Sequence, residues 1–148
     1  MIRTAIAGLG QQGRKYAEMI YNNEINNMEL TAVVARSAEN IRWAEKNIVG
    51  VKIYPDYDTL FKNSIEFDAI IIATPHKSHP EIAMAAFDKN IAVLCDKPSG
   101  INLKEVEKMN KAAKINNVPF AMIFNYRVQP VYKWIKETFD KGEIGSVK

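Results

Sequence analysis

Six residues near the N-terminus have the types and spacing of a dinucleotide-binding turn. Gly8-Leu9-Gly10-Gln11-Gln12-Gly13 follows a short apolar strand pattern and precedes a helical one. Gly8 permits a tight turn, Gly10 lets the backbone approach a pyrophosphate, and Gly13 lets helix and strand pack closely. Free N–H groups at the helix start, where Gln11 and Gln12 stand, favour an anion. The pattern predicts dinucleotide binding; the alternative is a glycine-rich turn of another α/β protein.

The end of the second predicted strand bears on the choice of cofactor. An acidic residue at this point normally binds the ribose 2′-hydroxyl of NAD, but the chain reads Val34-Ala35-Arg36-Ser37. Arg36 is a fixed cation with a fork of donors that suits a 2′-phosphate, and Ser37 adds a hydroxyl. These residues favour NADP over NAD. Two alternatives remain: Arg36 stacks on the adenine and tolerates either cofactor, or it points into water.

Two further strand ends carry polar side chains. Thr74, Pro75, His76 and His79 follow the fourth predicted strand, where the small residues and the proline let a loop pass close to the cofactor. His79 precedes Pro80 at a helix start, so a structural role is as well supported as a catalytic one. No third ligand with suitable spacing joins the two histidines, so no metal site is predicted.

The fifth predicted strand ends in Cys95-Asp96-Lys97-Pro98. A charged pair directly after a buried strand is expected at a site, and the Lys97 ammonium can donate to a substrate oxygen. The alternative is a solvated turn held by Pro98. Cys95 has no evident basic partner, so packing is the favoured role for it.

Composition excludes several classes of protein. The 148 residues carry a net charge of +3 with both signs interspersed, which is not typical of a nucleic-acid-binding surface. A single cysteine excludes a disulfide framework. No apolar run is long enough to span a membrane, and the chain starts in a strand pattern without room for a signal peptide. We therefore expect a cytoplasmic protein that binds neither nucleic acid nor membrane.

Strand and helix patterns alternate along the whole chain. Six strands are predicted, over 2–7, 30–34, 51–54, 68–73, 91–95 and 119–124. Helical patterns lie between them, with an N-cap predicted at Ser37 and capping boxes predicted at Ser78–Glu81 and Asn102–Glu105. This order predicts a doubly wound, parallel α/β sheet of the Rossmann type. Ligands of such sheets bind beyond the carboxyl ends of the strands, where the strand order reverses.

Several motifs in order resemble the N-terminal domain of the Gfo/Idh/MocA oxidoreductases. The glycine turn is followed by a loop similar to the family's T-P-N-x-x-H, with His76 in the Asn position. Asp96-Lys97-Pro98 resembles the family's E-K-P, with Asp for Glu. Asn125-Tyr126-Arg127 and the ending Gly142–Gly145 resemble the stretch that leads into the family's second domain.

The resemblance implies an NAD(P)-dependent enzyme that acts on a sugar, a polyol or a similar hydroxyl or carbonyl compound. It implies that Lys97 is catalytic, that Lys97–Pro98 is a cis peptide bond, and that Arg127 and the loop residues named above contact the cofactor. The full-length protein would be a homo-oligomer.

The resemblance also predicts how the chain is organised. We expect a cofactor-binding domain over residues 1–124 and a connecting segment over 125–148 that leads into an absent second domain. On this interpretation the chain is a fragment without activity of its own. The competing interpretation is a stand-alone NAD(P)-binding module that senses redox state or binds a partner. A methyltransferase is less consistent with Arg36, because an acid is expected there.

Overall fold

The computed structural model describes residues 1–63 and 67–145 and contains one parallel sheet with helices on both faces. Within the described residues the strands are β1 Ile2–Ala7, β2 Met28–Val34, β3 Lys52–Tyr54, β4 Ala69–Ile72, β5 Ala92–Cys95 and β6 Phe120–Met122. The α-helices are α1 Gln11–Tyr21, α2 Ala38–Asn47, α3 Tyr57–Lys62, α4 His79–Phe87, α5 Leu103–Ile115 and α6 Pro130–Asp140. Short 3₁₀ turns occupy His76–Ser78 and Asn125–Val128.

The strands are arranged in the order β3-β2-β1-β4-β5-β6, and every pairing is parallel. The predicted doubly wound Rossmann fold is thereby confirmed. The strand order reverses between β1 and β4, whose carboxyl ends lie side by side. Several boundaries differ from the prediction: β2 begins two residues earlier, and β6 has three residues rather than six.

Two hydrophobic clusters cover the two faces of the sheet. One contains Phe87 and Ile82 of α4 and Met109 of α5, packed against inward side chains of the strands. The other contains Ile20 of α1 and Ala44 of α2. Burial on both faces explains why β4 is a continuous apolar run.

The structure supports one of the two predicted capping boxes. Asn102 accepts a hydrogen bond from the Glu105 N–H at 3.0 Å, and the Glu105 carboxylate accepts one from the Ile101 N–H at 2.9 Å. At the start of α4, Ser78 makes no side-chain cap, so the box predicted there was wrong. The 3₁₀ turn before α4 changes the backbone at Ser78, whose hydroxyl instead lies 2.8 Å from Thr74 Oγ1 and from Pro75 O.

Helix α6 lies apart from both clusters. None of its residues is buried, although it carries an apolar stripe. The exposed large side chains of this helix are Val131, Tyr132, Trp134, Ile135 and Phe139. Its packing is against the preceding 3₁₀ turn, where Tyr126 and Tyr132 place their rings 5.1 Å apart.

Candidate cofactor site

A groove of about 660 Å³ lies at the carboxyl edge of the sheet, where the strand order reverses. It runs between the loop after β1 and the loop after β4, and extends to the ends of β2 and β5. The sequence-predicted residues that line it are Gly8, Gly10, Gln11, Gln12, Arg36, Ser37, Thr74, Pro75 and Asp96. The fold therefore brings nine of the expected residues together around one opening.

The three glycines of the turn have different surroundings. Gly8 has a positive φ of 96°, and a Cβ there would lie 2.8 Å from Ala73 O. A Cβ at Gly13 would lie 1.9 Å from Gly8 O, because α1 packs directly on the turn. Around Gly10 nothing lies within 4 Å of a Cβ position, so this glycine borders open space in the groove. Gly13 itself is buried beneath the turn.

The end of β2 presents polar groups to the groove. Arg36 and Ser37 are exposed, and the Ser37 hydroxyl oxygen accepts a hydrogen bond from the Asn40 N–H at 3.2 Å, which caps α2. The predicted N-cap at Ser37 is thereby confirmed. Asn40 lines the same part of the groove.

The loop after β4 is tied to the rest of the sheet edge by His79. This residue is 1% exposed, and its Nε2 lies 2.7 Å from Thr74 O while its Nδ1 lies 2.8 Å from Pro98 O. A carbonyl oxygen only accepts, so each ring nitrogen that carries a hydrogen donates to the carbonyl it faces. The buried ring does not line the groove, and this geometry favours positioning over the predicted catalytic and cofactor-binding roles.

His76 lies outside the groove as well. Its ring is exposed and packs edge-on against His79, with the centroids 5.8 Å apart. Within the part of the chain that the structure describes, no cluster of three or more potential metal ligands occurs.

The turn after β5 divides its two charged residues between two openings. Asp96 lines the cofactor groove, and its carboxylate accepts a hydrogen bond from the Lys97 N–H at 2.9 Å. Lys97 is exposed and lines a second groove of about 1060 Å³. The peptide bond between Lys97 and Pro98 is cis, as the resemblance implies.

The second groove adjoins the first through Gln12, which lines both. Arg127 also lines it, with its guanidinium 4.6 Å from the centre of the Phe124 ring. Tyr16 of α1 lines the same groove, and burial together with the charge of Asp96 raises the pKa of its phenol. Lys97 and Arg127 are thus brought to the same opening, next to the cofactor groove.

Cys95 is fully buried at the end of β5. Burial, together with the charge of Asp96, raises the pKa of its thiol to about 12. The thiolate is therefore disfavoured at neutral pH, which agrees with the predicted packing role.

Sequence reasoning did not single out Asn40, Asp56 or Tyr57, all of which line the cofactor groove. Asp56 and Tyr57 follow the short strand β3, whose carboxyl end lies at the same edge as the others. Their position directly after β3 was the sequence signal that could have identified these two residues as part of the site. A hydrogen bond to Glu81, burial and neighbouring carboxylates raise the pKa of Tyr57 to about 12, so its hydroxyl stays protonated beside the groove.

Comparison with known proteins gives a family match for most of the chain. The Gfo/Idh/MocA model, described as an oxidoreductase family with an NAD-binding Rossmann fold, matches residues 2–124.

Separately, no helix among residues 1–63 and 67–145 is long and apolar enough to cross a membrane.

Individual relatives are dehydrogenases of polyols and sugars. An NADP⁺-dependent scyllo-inositol 2-dehydrogenase of Bacillus subtilis is 32% identical over 100% of this chain and 44% of its own length. A glucose-6-phosphate 3-dehydrogenase of the same organism is 31% identical over 99% of this chain and 40% of its own length. The chain thus spans less than half the length of these relatives.

Solved structures agree with the fold. The myo-inositol 2-dehydrogenase of Lactobacillus plantarum has a TM-score of 0.89 at 31% identity, covering 99% of this chain and 43% of that one. The scyllo-inositol dehydrogenase of Lactobacillus casei, solved with NAD(H) and scyllo-inositol, has a TM-score of 0.89 at 26% identity, with the same coverage.

Proposed function

Because the chain belongs to the Gfo/Idh/MocA oxidoreductase family, as an NAD(P)-binding Rossmann domain, we propose that it is the cofactor-binding half of a polyol or sugar dehydrogenase. The observation that carries the proposal is the groove at the β1–β4 switch point, bordered by open space at Gly10. Binding sites of doubly wound sheets lie at this point. The hydrogen-bond donors in the part of the groove next to the end of β2 suit a 2′-phosphate on the adenosine of a dinucleotide.

Within this function, we propose a preference for NADP. Arg36 and Ser37 stand where NAD-binding domains normally carry an acid, and an arginine there is suited to a 2′-phosphate. The NADP⁺-dependent relative from Bacillus subtilis supports this preference. The NAD(H) in the Lactobacillus casei structure is the contrary example within the family.

Lys97 is the proposed proton-transfer group. A nicotinamide held in the cofactor groove would supply the donor or acceptor of the hydride for the substrate carbon. The Lys97 amine takes the hydroxyl proton of a substrate that is oxidised to a carbonyl, and its ammonium returns a proton in the reverse direction. The Lys97 side chain lines the groove adjoining the cofactor groove, and its backbone is held by Asp96.

Titration of the 148-residue chain with NADPH and NADH tests cofactor binding. We expect NADPH to bind about tenfold more tightly or better, because a guanidinium–phosphate contact contributes about 1.5–3 kcal/mol. Arg36→Ala should narrow this difference in affinity between NADPH and NADH. Arg42→Ala, which removes an exposed cation on α2, is the matched control. Equal affinities in the unsubstituted chain would contradict the NADP preference, and no binding of either would contradict the function.

Turnover tests the role of Lys97, in a form of the protein that carries the second domain. Lys97→Met should remove most oxidation of scyllo- or myo-inositol, followed at 340 nm, while cofactor affinity remains. The 148-residue chain alone should show little activity. If turnover survives the substitution, the proposed role of Lys97 is wrong. Absence of turnover in the unsubstituted two-domain protein would instead support a binding module without chemistry.

A further inference from the structure

Arg14 connects the glycine turn to helix α2. Its Nε donates to Leu9 O at 3.1 Å, and its Nη2 donates to Asn40 Oδ1 at 2.7 Å and to Glu39 Oε1 at 2.6 Å. The guanidinium also lies 5.3 Å from the centre of the Trp43 ring. This residue therefore holds the Asn40 side chain in one orientation relative to the cofactor turn.

The contact with Arg14 also shows which terminal atom of the Asn40 amide is the oxygen and which is the nitrogen. An arginine has donors only, so the atom it contacts is the amide oxygen, and the NH₂ group is the other end. Asn40 is half-buried and lines the cofactor groove beside Arg36 and Ser37. Because the Ser37 oxygen accepts from the Asn40 N–H, the Ser37 hydroxyl hydrogen remains available to a further acceptor.

Three donors of different chemistry thus meet at the end of β2: the Arg36 guanidinium, the Ser37 hydroxyl and the Asn40 amide. Of the carboxylates in this region, Glu39 pairs with Arg14, and Asp56 caps α3 by accepting from the Thr59 N–H at 2.6 Å. A phosphate dianion only accepts hydrogen bonds, whereas a ribose hydroxyl both donates and accepts. A cluster of donors therefore discriminates between the two.

We propose that Asn40 is a specificity-determining residue, whose NH₂ group donates to the 2′-phosphate of NADP while Arg14 positions it through the amide oxygen. This rests on the proposed function, because it concerns the adenosine end of the same groove. It adds a neutral donor on α2 to the Arg36 and Ser37 pair at the end of β2.

Asn40→Asp is the informative substitution. It keeps the shape of the side chain and gives Arg14 a carboxylate partner, so the fold is retained. It replaces the amide donor with a negative charge, which repels a 2′-phosphate and can accept from a 2′-hydroxyl. We expect the ratio of NADPH to NADH affinity to fall at least about tenfold. The pair adenosine 2′,5′-bisphosphate and 5′-AMP should show the same change, which locates the effect at the 2′ position.

Asn110→Asp on the exposed side of α5 makes the same change of charge away from the groove and should leave the ratio unaltered. Asn40→Ala removes the donor without adding charge and should lower NADPH affinity with little effect on NADH. If Asn40→Asp and Asn110→Asp have the same ratio of NADPH to NADH affinity, the proposed role of Asn40 is wrong. Arg36→Ala would still alter the ratio in that case, so the proposed NADP preference would stand independently.

Discussion

Gly10 and Gly13 are three residues apart, yet a methyl group at each position meets opposite surroundings. At Gly13 it would lie 1.9 Å from the Gly8 carbonyl oxygen, which is backbone and has little room to move. At Gly10 it would meet no atom within 4 Å. One glycine therefore serves the packing of α1 on β1, and the other preserves the space into which we propose that the pyrophosphate fits.

Gly13→Ala should lower the free energy of unfolding by about 3 kcal/mol or more, because overpacking against backbone forces α1 outward. Gly10→Ala should change it by less than about 1 kcal/mol, since its φ of −70° suits any residue. Gly10→Ala should nevertheless weaken NADPH binding. Urea unfolding and a fluorescence titration separate the two effects; unaltered NADPH affinity in Gly10→Ala would contradict the placement of the pyrophosphate.

At the scale of elements, His79 joins two loops that the sheet alone does not connect. Its ring contacts the carbonyl of Thr74 in the loop after β4 and that of Pro98 in the turn after β5. The first loop borders the cofactor groove, and the second carries Lys97. The ring is therefore expected to keep these two loops in a constant relation.

His79→Phe keeps the ring volume but removes the two ring nitrogens that face the carbonyls of Thr74 and Pro98. We expect the free energy of unfolding to fall by about 1–3 kcal/mol, because two partly buried hydrogen bonds are lost. NADPH affinity should fall as well, because the Thr74 loop loses its attachment. His76→Phe, at the exposed neighbouring ring, should leave stability unchanged in the same urea titration. Equal stability of the two variants would mean that the contacts of His79 contribute nothing.

The start of β1 is held to the segment before β4 by an ion pair. Arg3 Nη2 lies 2.7 Å from Asp68 Oδ1, and the Arg3 N–H and Nε donate to Asp68 Oδ2. These hydrogen bonds and the charge of Arg3 lower the pKa of Asp68 to about 2. Both side chains are nearly half exposed, so the pair contributes modestly.

Asp68→Asn should lower the free energy of unfolding by up to about 1 kcal/mol at pH 7. Because the folded pKa lies below the unfolded one, this contribution is fully present above about pH 4 and is lost as the pH falls towards 2. The difference between the two proteins should shrink over this window in acid unfolding curves. Glu45→Gln, at an exposed position of α2, is the matched neutralisation; a difference that stays constant down to pH 2 would contradict the assignment.

At the scale of the whole molecule, the Rossmann core and helix α6 are held together weakly. No residue of α6 is buried, and its aromatic and aliphatic side chains remain exposed. The core clusters are built from elements before residue 124. The boundary between residues 124 and 125 stays a prediction, which truncation of the chain can test.

A chain that ends at Phe124 should therefore fold like the 148-residue chain. We expect the two melting temperatures to agree within about 3 °C, which corresponds to less than about 1 kcal/mol. Circular dichroism melts and NADPH titrations of both chains measure this. Loss of cooperative unfolding in the shorter chain would show that residues 125–145 belong to the core, and would contradict the domain boundary.

Local signals in the sequence determined the order of elements and the main binding motif. These signals depend on residues that are close together in the chain, so they can be predicted from the sequence. They are the apolar runs of β1, β4 and β5, the caps at Ser37 and Asn102, and the glycine turn. The ends of the helices were harder to predict from the sequence. Asn23, Asn90 and Asn117 adopt positive φ values of 52–58° after α1, α4 and α5, where glycine is the usual signal.

Tertiary structure decided the roles that depend on contacts between distant segments. Nothing in the spacing of His79 reveals that its ring lies between the carbonyls of Thr74 and Pro98. Likewise, the orientation of Asn40 follows from Arg14, which is 26 residues away. The sequence places residues at strand ends, because hydrophobic periodicity is local. Which strand ends become neighbours, and which side chains are buried between them, follows only from the order β3-β2-β1-β4-β5-β6.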